Sequence, residues 1–386
     1  MLGASLVRPR AVAVCGLLAA VALAGCATQT KSAVTVSGKT LTIYLSQPPH
    51  GAQSQTAADV LDAEQLAFKQ AGTTLGPFTL RYHDPLHGAE LSDNARSAVQ
   101  DKSAIAYLGE IVPGTSQETV PITNELGLLQ VSPTDTAVYL TQATPVVSGS
   151  PGTFYPSSST YGKTFARVVP TSAQEAKAIT AEMHSLGLSR LYVSDDGSSY
   201  GASIAAEVRA DAPRQGLSTA SSAQAADAVF YGGNAPATAS RALDQAAAAG
   251  SAKLFAPSAL YSEAFATGLS AGAQRNLYVS SPGFTASDLT PSGRQFVTAF
   301  TAAYGHAPVP EAIFGYEAAS ALLAVLKQAG SDAGSRATVV NDFRNLHNRQ
   351  SVLGTYSTSS GDTNIAPFVF GRLRGGRLVA SVARGA

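Results

Sequence analysis

Short apolar runs alternate with segments of helical period from residue 41 onward. Each run is bounded by Gly, Pro, Ser or Asp, and such short apolar or alternating runs are typical of strands buried in a parallel sheet. The runs predict strands at 41–45, 78–82, 105–108, 128–131, 191–193, 228–231, 253–256 and 277–279.

Amphipathic helices are predicted between these strands. Between residues 176 and 186, apolar side chains recur at spacings of 3 and 4 and therefore share one helix face. Ser172 and Glu175 stand just ahead in a capping-box pattern, which predicts where this helix begins. A second apolar stripe runs from 319 to 326 and is closed by Gly330. The alternation predicts an α/β protein with two doubly wound parallel-sheet lobes.

The alternation is interrupted between residues 141 and 163 and restarts at about 165. The interruption is rich in Ser, Thr, Pro, Gly and Tyr and has no helical period. Two interpretations stay open, a long surface loop next to a lobe boundary and a disordered segment.

The N-terminus has the pattern of a bacterial secretion signal. Arg8 and Arg10 precede an uncharged apolar stretch at 11–24, which has the length of a signal core and is too short to span a bilayer. The segment Leu23-Ala24-Gly25-Cys26 looks like a lipobox, in which the cysteine is lipidated and the chain is cut before it. We therefore expect a signal peptide at 1–25 and a lipid on Cys26. The alternative is an ordinary signal peptide that contains a cysteine.

Composition narrows the function classes. The chain has 386 residues and two cysteines, and Cys15 lies within the predicted signal, so the mature chain has no partner for a disulfide to Cys26. Without Arg8 and Arg10 the charge is 24 basic against 26 acidic residues, a net of −2. Since no basic run is interleaved with aromatic residues, we expect no nucleic-acid binding.

Catalytic constellations are absent from the sequence, which has no Gly-x-Ser-x-Gly, no phosphate loop and no Cys/His metal spacing. His83 and His87 are separated by Pro85, which prevents a shared helix face for a zinc pair. His50 is the one histidine that can reach a cleft, although a position on the surface or rim is favoured. We predict no enzyme activity, cofactor or metal.

Local motifs follow the predicted strands in a fixed order. They include Tyr82-His-Asp84, Tyr107-Leu-Gly109, Phe165-Ala-Arg-Val-Val-Pro170, the Tyr200-Gly201 pair and Gly315-Tyr-Glu-Ala318. Taken in order, they resemble the periplasmic binding proteins of the leucine/isoleucine/valine-binding type, the type I solute-binding fold, over essentially the whole mature chain.

The resemblance implies two lobes joined by a three-crossover hinge, with crossings near Arg167, Pro282 and Gly354. The first lobe would comprise 40–166 and 283–353, the second 167–282 and 354–386, and a tether would span 26–39. The implied protein is an extracytoplasmic, lipid-anchored monomer. It would capture a small ligand, such as an amino acid or amide, and deliver it to an ABC permease. The alternative is a lipid-anchored sensor or envelope regulator that signals to a protein partner through the same fold.

Open α/β sheets bind ligands at the carboxyl ends of their strands, so residues after the strand ends are the candidate site. In the first lobe these are Ser46, Gln47, Glu110, Ser132, Thr134, Asp135 and Thr136, and in the second lobe Tyr200, Tyr231, Asn234 and Ser258.

Several of these positions have two interpretations. The segment 132–136 opens toward a predicted helix whose start can hold an anionic oxygen, and Thr136 matches the family's carboxylate-binding threonine; a simple cap or turn is the alternative. Tyr200 and Tyr231 match aromatic positions that line the family's cleft, and core packing is the alternative.

Two departures from the family pattern affect the ligand. Ser258 stands where amino-acid binders usually have the acidic residue that pairs with the ligand's ammonium. Glu110 replaces a serine-rich turn, and unpaired carboxylates at Glu110 and Asp135 would repel an anionic ligand. A polyol, an amide, an aromatic or a cationic ligand therefore stays as open as an amino acid.

Overall fold

A computed structural model describes residues 1–3, 34–48, 54–85 and 90–382. The chain divides into a unit from Met1 to Lys31 and a larger unit from Ser32 to Ala386, and the fold below is that of the larger unit. Cys26, His50 and His87 lie outside the described residues. Among the residues described, no helix is both long enough and apolar enough to cross a membrane.

The first sheet lies at the centre of one lobe. Its strands are β1 (Thr40–Leu45), β2 (Thr74–Leu75), β3 (Phe78–His83), β4 (Ala104–Leu108), β5 (Leu129–Ser132) and β6 (Phe165–Arg167). They lie in the order β2-β3-β1-β4-β5-β6, and all neighbours are parallel except the short β2.

The second sheet is also mainly parallel. Its strands are β7 (Arg190–Asp195), β8 (Ser218–Thr219), β9 (Ala228–Gly232), β10 (Lys253–Ala256) and β11 (Leu277–Pro282). Two small hairpins follow outside it, β12 (Arg349–Ser351) with β13 (Gly354–Tyr356) and β14 (Thr358–Ser359) with β15 (Asp362–Thr363). The antiparallel pair β16 (Phe368–Arg374) and β17 (Arg377–Val382) then completes the order β17-β16-β11-β10-β9-β7-β8.

Helices connect the strands and cover the sheets. They are α1 (Ser54–Ala71), α2 (Leu91–Gln100), α3 (Ser116–Glu125), α4 (Ser158–Tyr161), α5 (Ser172–Ser185), α6 (Ser199–Asp211), α7 (Pro236–Ala249), α8 (Glu263–Gly268), α9 (Ala271–Asn276), α10 (Pro291–Tyr304), α11 (Ala312–Ala329) and α12 (Arg336–Arg344). Each predicted strand is present and the predicted α/β class is confirmed.

The alternation of β1 explains its position. Leu41, Ile43 and Leu45 face the core cluster that contains α1 and α11, whereas Tyr44 faces the cluster under α2. Both faces of this central strand are therefore covered by helices, as its apolar sequence predicted.

The third passage between the lobes lies later than the predicted crossing near Gly354. Tyr356 is only 1% exposed and belongs to the core of the first lobe, and Ile365 packs against the same core. The chain rejoins the second sheet only at β16, because these apolar side chains hold the two small hairpins on the first lobe.

Two regions without a regular sequence pattern, the end of the expected tether and the interruption at 141–163, contain residues that are packed into the fold. Val36, within the expected tether, is buried, and its N–H donates to Gly334 O at 2.8 Å. In the interruption at 141–163, Phe154 and Tyr155 are buried, and the Tyr155 hydroxyl donates to Leu140 O at 2.6 Å. The folded unit therefore includes residues 34–36 and the loop.

Helix α5 begins with a capping box one residue earlier than predicted. Thr171 Oγ1 accepts from Gln174 N at 3.4 Å, and Thr171 N donates to Gln174 Oε1 at 2.8 Å. Ser172 and Glu175 have other partners because both side chains are buried between elements. The prediction of a Ser172–Glu175 box was wrong by one position, and Glu175 has a different role.

We expect Thr171→Ala to lower the free energy of unfolding by about 1 kcal/mol, because it removes the cap. Chemical denaturation followed by circular dichroism measures the change. Lys177→Ala, on the exposed face of the same helix, is the control and should change the value by less than about 0.5 kcal/mol. Equal effects of the two substitutions would contradict the assigned cap.

Candidate functional site

The loops at the carboxyl ends of the strands in the two sheets meet one another. Asn234, after β9, donates from Nδ2 to Pro113 O at 3.1 Å. Thr56, in the first turn of α1, donates from Oγ1 to Tyr261 O at 3.1 Å. These contacts join residues more than a hundred positions apart and define a closed interface between the lobes.

Glu175 is the most highly bonded carboxyl at this interface and is 0% exposed. Its Oε1 accepts from Ser258 N and from Ser280 Oγ, each at 2.6 Å, and its Oε2 accepts from Ser258 Oγ at 3.1 Å and from Thr136 Oγ1 at 3.4 Å. Burial raises the pKa of Glu175, and the bonds from Ser280 and Ser258 oppose that rise. Two predicted site residues, Thr136 and Ser258, thus meet at a carboxyl that was assigned only to a cap.

The Asp135 carboxylate, within the segment expected to hold an anionic ligand group, is itself held by backbone donors. Its carboxylate accepts from the N–H groups of Gly114 at 2.7 Å, Ser116 at 2.9 Å and Ala137 at 2.9 Å. Only a single 3₁₀ turn, Val138–Leu140, follows in place of the predicted helix. The predicted helix start is therefore absent, and the three N–H groups beside it already bond to the protein's own carboxylate.

The Glu110 carboxyl is likewise held by hydrogen bonds from the protein. It is 0% exposed, and it accepts from the hydroxyls of Ser46 and Tyr107, the latter at 2.7 Å. Ser132 Oγ donates to Glu110 O at 2.6 Å, and Thr134 Oγ1 donates to a neighbouring backbone carbonyl at 2.5 Å. Burial raises the pKa of Glu110 to about 7. These predicted residues shape the loop, and Gln47 beside them is half-buried.

Tyr200 is brought into the interface, whereas Tyr231 lies in the second lobe's core cluster. Tyr200 is 1% exposed, and its hydroxyl lies within hydrogen-bonding reach of the Thr136 and Ser258 side chains. A Cβ on Gly114 would lie 2.7 Å from Tyr200 Cβ, so the loop at Gly114 and the first turn of α6 approach closely. Burial and Asp196 raise the pKa of Tyr231 to about 12.

A small cavity remains between the lobes. It admits the centre of a water molecule over only about 10 Å³, which is room for about one water. It is lined by Thr56, Ala57, Ile111, Val112, Pro113, Ser258, Tyr261 and Glu311.

Glu311 was missed by the sequence analysis. It is 5% exposed and accepts from Ser281 Oγ at 3.2 Å, and burial raises its pKa to about 8, with a further contribution from the charge of Glu175. No periodic signal marks Glu311, because it stands just before α11. Glu175 did have one, since its spacing of four from Ile179 places it on the apolar face of α5.

Arg167 is a fully buried cation at the end of β6. Its guanidinium donates to Asp135 O at 2.8 Å and Ala137 O at 2.9 Å, and Nε lies 3.0 Å from Asp362 Oδ1. The cation is therefore fully engaged by protein groups. Among the described residues, no three His, Cys, Asp or Glu side chains are grouped so as to hold a metal ion.

Residues 218–377 match the model of a family described as periplasmic binding protein. No protein with curated annotation matches the chain. The match spans less than half of the chain.

Solved structures of related fold cover most of the chain. A leucine-binding protein LivK from Thermotoga maritima is 18% identical, covers 89% of this chain and 98% of its own, and has a TM-score of 0.71. A substrate-binding protein of an ABC transporter from Desulfitobacterium hafniense, in complex with Leu, is 20% identical with coverages of 89% and 99% and a TM-score of 0.69. A solute-binding protein from R. palustris, in complex with benzoate, is 19% identical with coverages of 90% and 96% and a TM-score of 0.65. The predicted resemblance and the type I periplasmic binding fold are confirmed.

We expect the melting temperature to fall as pH rises from 5 to 8.5. Glu110 and Glu311 have folded-state pKa values of about 7 and about 8, above the ordinary 4.5, so folding favours their protonated forms. Their contribution is complete below about pH 4.5 and is lost as pH rises through the folded values. Because a tenfold change in proton affinity is worth about 1.4 kcal/mol, the total loss amounts to several kcal/mol.

Differential scanning calorimetry across this range measures the slope. Glu311→Gln, which cannot ionise, should flatten the decline above pH 7, and Glu118→Gln, on the exposed face of α3, is the control. A melting temperature that stays level or rises between pH 5 and 8.5 would contradict the assigned burial of the two carboxyls.

Proposed function

We propose that this chain, which has the type I periplasmic binding fold and matches the periplasmic binding protein model over residues 218–377, is an extracytoplasmic solute-binding protein. It captures a small polar ligand between its two lobes and delivers it to an ABC permease. The observation that carries the proposal is the polar interface at which Thr136 of the first lobe meets Glu175 and Ser258 of the second. Strand-end residues of two open sheets meet there, where α/β proteins bind ligands.

Binding requires the lobes to separate first. The remaining cavity admits about one water, so a ligand can reach Thr136, Tyr200 and Ser258 only when the hinge opens. Reclosure then lets both lobes contribute contacts, and the closed form is the one that a permease can distinguish from the empty open form. The ligands bound in the related structures, leucine and benzoate, support a small molecule as the ligand class.

A thermal-shift screen against amino acids, polyols, amides, aromatic acids and amines tests this function. A true ligand at a hundredfold excess over its Kd should stabilise the folded state by about 2.7 kcal/mol. Tyr200→Ala and Thr136→Ala should each abolish the shift, whereas Lys177→Ala should retain it. A ligand whose affinity survives both cleft substitutions binds elsewhere and would contradict this site.

The lipid anchor at Cys26 is part of the proposal. Expressed in a bacterium that processes lipoproteins, the wild-type chain should sediment with membranes. Cys26→Ser should shift it to the soluble extracytoplasmic fraction, because the lipid thioether cannot form. Immunoblotting of separated fractions measures the shift, and a variant that stays with the membrane would contradict lipidation at this residue.

A second candidate function is a lipid-anchored sensor or envelope regulator. One observation favours it, because the lobes already meet through satisfied hydrogen bonds and leave room for about one water. Such a closed form can signal to a protein partner without a bulky ligand. If no ligand class in the screen shifts the melting temperature, the sensor interpretation replaces the transport interpretation.

A further inference from the structure

We infer that the loop Ile111-Val112-Pro113-Gly114 is a built-in occupant of the cleft, which holds the two lobes closed in the absence of a ligand. This role rests on the proposed solute-binding function and deepens it, because a ligand then competes with the protein's own loop for the closed form. The loop lies between β4 and α3, at a strand end, where the ligand of an open α/β sheet binds.

The loop is fixed to the first lobe at both of its ends. Thr134 Oγ1 donates to Ile111 O at 2.5 Å. Gly114 N donates to Asp135 Oδ1 at 2.7 Å. The Ile111 side chain is only 4% exposed and packs against apolar residues of α1. Because these contacts all lie within one lobe, the loop moves with that lobe as a fixed projection into the cleft.

The second lobe closes directly onto this projection. Asn234 Nδ2 donates to Pro113 O at 3.1 Å. A Cβ on Gly114 would lie 2.7 Å from Tyr200 Cβ, so the loop fits against α6 only because position 114 has no side chain. The sequence places Asn234 and Tyr200 beyond strand ends of the second sheet, where contacts to a ligand are expected. In the closed form both residues contact the loop.

The loop also forms part of the wall of the space that remains. Ile111, Val112 and Pro113 line the cavity together with residues of both lobes, and the cavity has room for about one water. Small-molecule sites usually have volumes of about 300–1,000 Å³. As far as the described residues extend, this interface therefore holds no site of that size while the second lobe is in contact with the loop.

Apolar burial stabilises the closed form without any ligand. One apolar cluster crosses from lobe to lobe. Its first-lobe members include Val120 on α3 and Tyr139 after β5. Its second-lobe members include Ile179 on α5 and Ile204 on α6. Opening that separates these side chains exposes apolar surface to water. The open form that admits a ligand is therefore the minor state, and the apparent affinity for a ligand falls by the fraction of that state.

Spin-label distances in the ligand-free protein test this role of the loop. Glu118 on α3 and Gln245 on α7 are exposed and belong to different lobes. The full chain with Cys15→Ser and Cys26→Ser has no other cysteine, so labels on Glu118→Cys and Gln245→Cys report the separation of the lobes. We expect one narrow distance, that of the closed form, in samples that mass spectrometry shows to contain no small molecule.

Gly114→Ala should lengthen this distance by more than about 2 Å, because the added methyl group collides with the first turn of α6. Gly305→Ala is the matched control and should leave the distance unchanged. Gly305 has a φ of +80°, similar to the +90° of Gly114, but a Cβ there meets no atom within 4 Å. Since the backbone strain of the two substitutions is similar, the collision between the lobes distinguishes them.

Asn234→Asp tests the same contact without backbone strain. The side chain keeps its shape but turns an acceptor toward Pro113 O, so a second population with longer distances should appear. Circular dichroism checks that each variant is folded. Mainly long distances in the protein without loop substitutions, or unchanged distances in both Gly114→Ala and Asn234→Asp, would overturn the inference.

The same measurements separate the role of the loop from the proposed function, because they need no ligand. An empty protein that is open, but binds a compound in the thermal-shift screen, keeps the solute-binding function and refutes the built-in occupant. An empty protein that is closed, but binds no compound, keeps the occupant and refutes the solute-binding function.

Discussion

Closure of the two lobes takes the carboxyl of Glu175 out of water. Glu175 carries a large desolvation cost, and four hydrogen bonds offset it. Three of them come from Ser258 and Ser280 in the second lobe, and only the longest, at 3.4 Å, comes from Thr136 in the first. Glu175 therefore belongs to the second lobe. Separation of the lobes sacrifices its weakest bond and exposes the carboxyl to water, which reduces the desolvation cost.

The segments that connect the lobes are held together by a buried cation, Arg167. Arg167 lies where the chain first leaves the first sheet, and Asp362 lies in the last passage between the lobes, so their 3.0 Å contact ties two of the connecting segments together. The Arg167 backbone N–H also donates to Gly361 O at 2.8 Å. Because these contacts join the connections to each other, they can persist while the lobes rotate. Connecting segments that stay bonded to each other, together with few hydrogen bonds across the cleft, favour rotation of each lobe as a rigid body.

The strands and the fold class could be predicted from the sequence, and the contacts in the cleft could not. Short apolar runs such as 41–45 and 277–279 report burial locally, so each appears as a strand. The role of Glu175 depends on Ser258 and Ser280, which lie 83 and 105 positions away, and no local pattern encodes them. Ser172 and Glu175 are residue types that can form a capping box. The box is formed instead by the neighbouring pair Thr171 and Gln174, because the side chains of Ser172 and Glu175 are buried and bond to other elements.

A contact between residues far apart in the sequence also explains why position 258 has no acidic residue. By family resemblance, a carboxylate is expected in the turn after β10, where this chain has Ser258. The Ser258 backbone N–H instead donates to Glu175, so a carboxylate reaches that turn from helix α5. The carboxyl at this turn therefore comes from another element of the same lobe, through a contact that spans 83 positions of the chain.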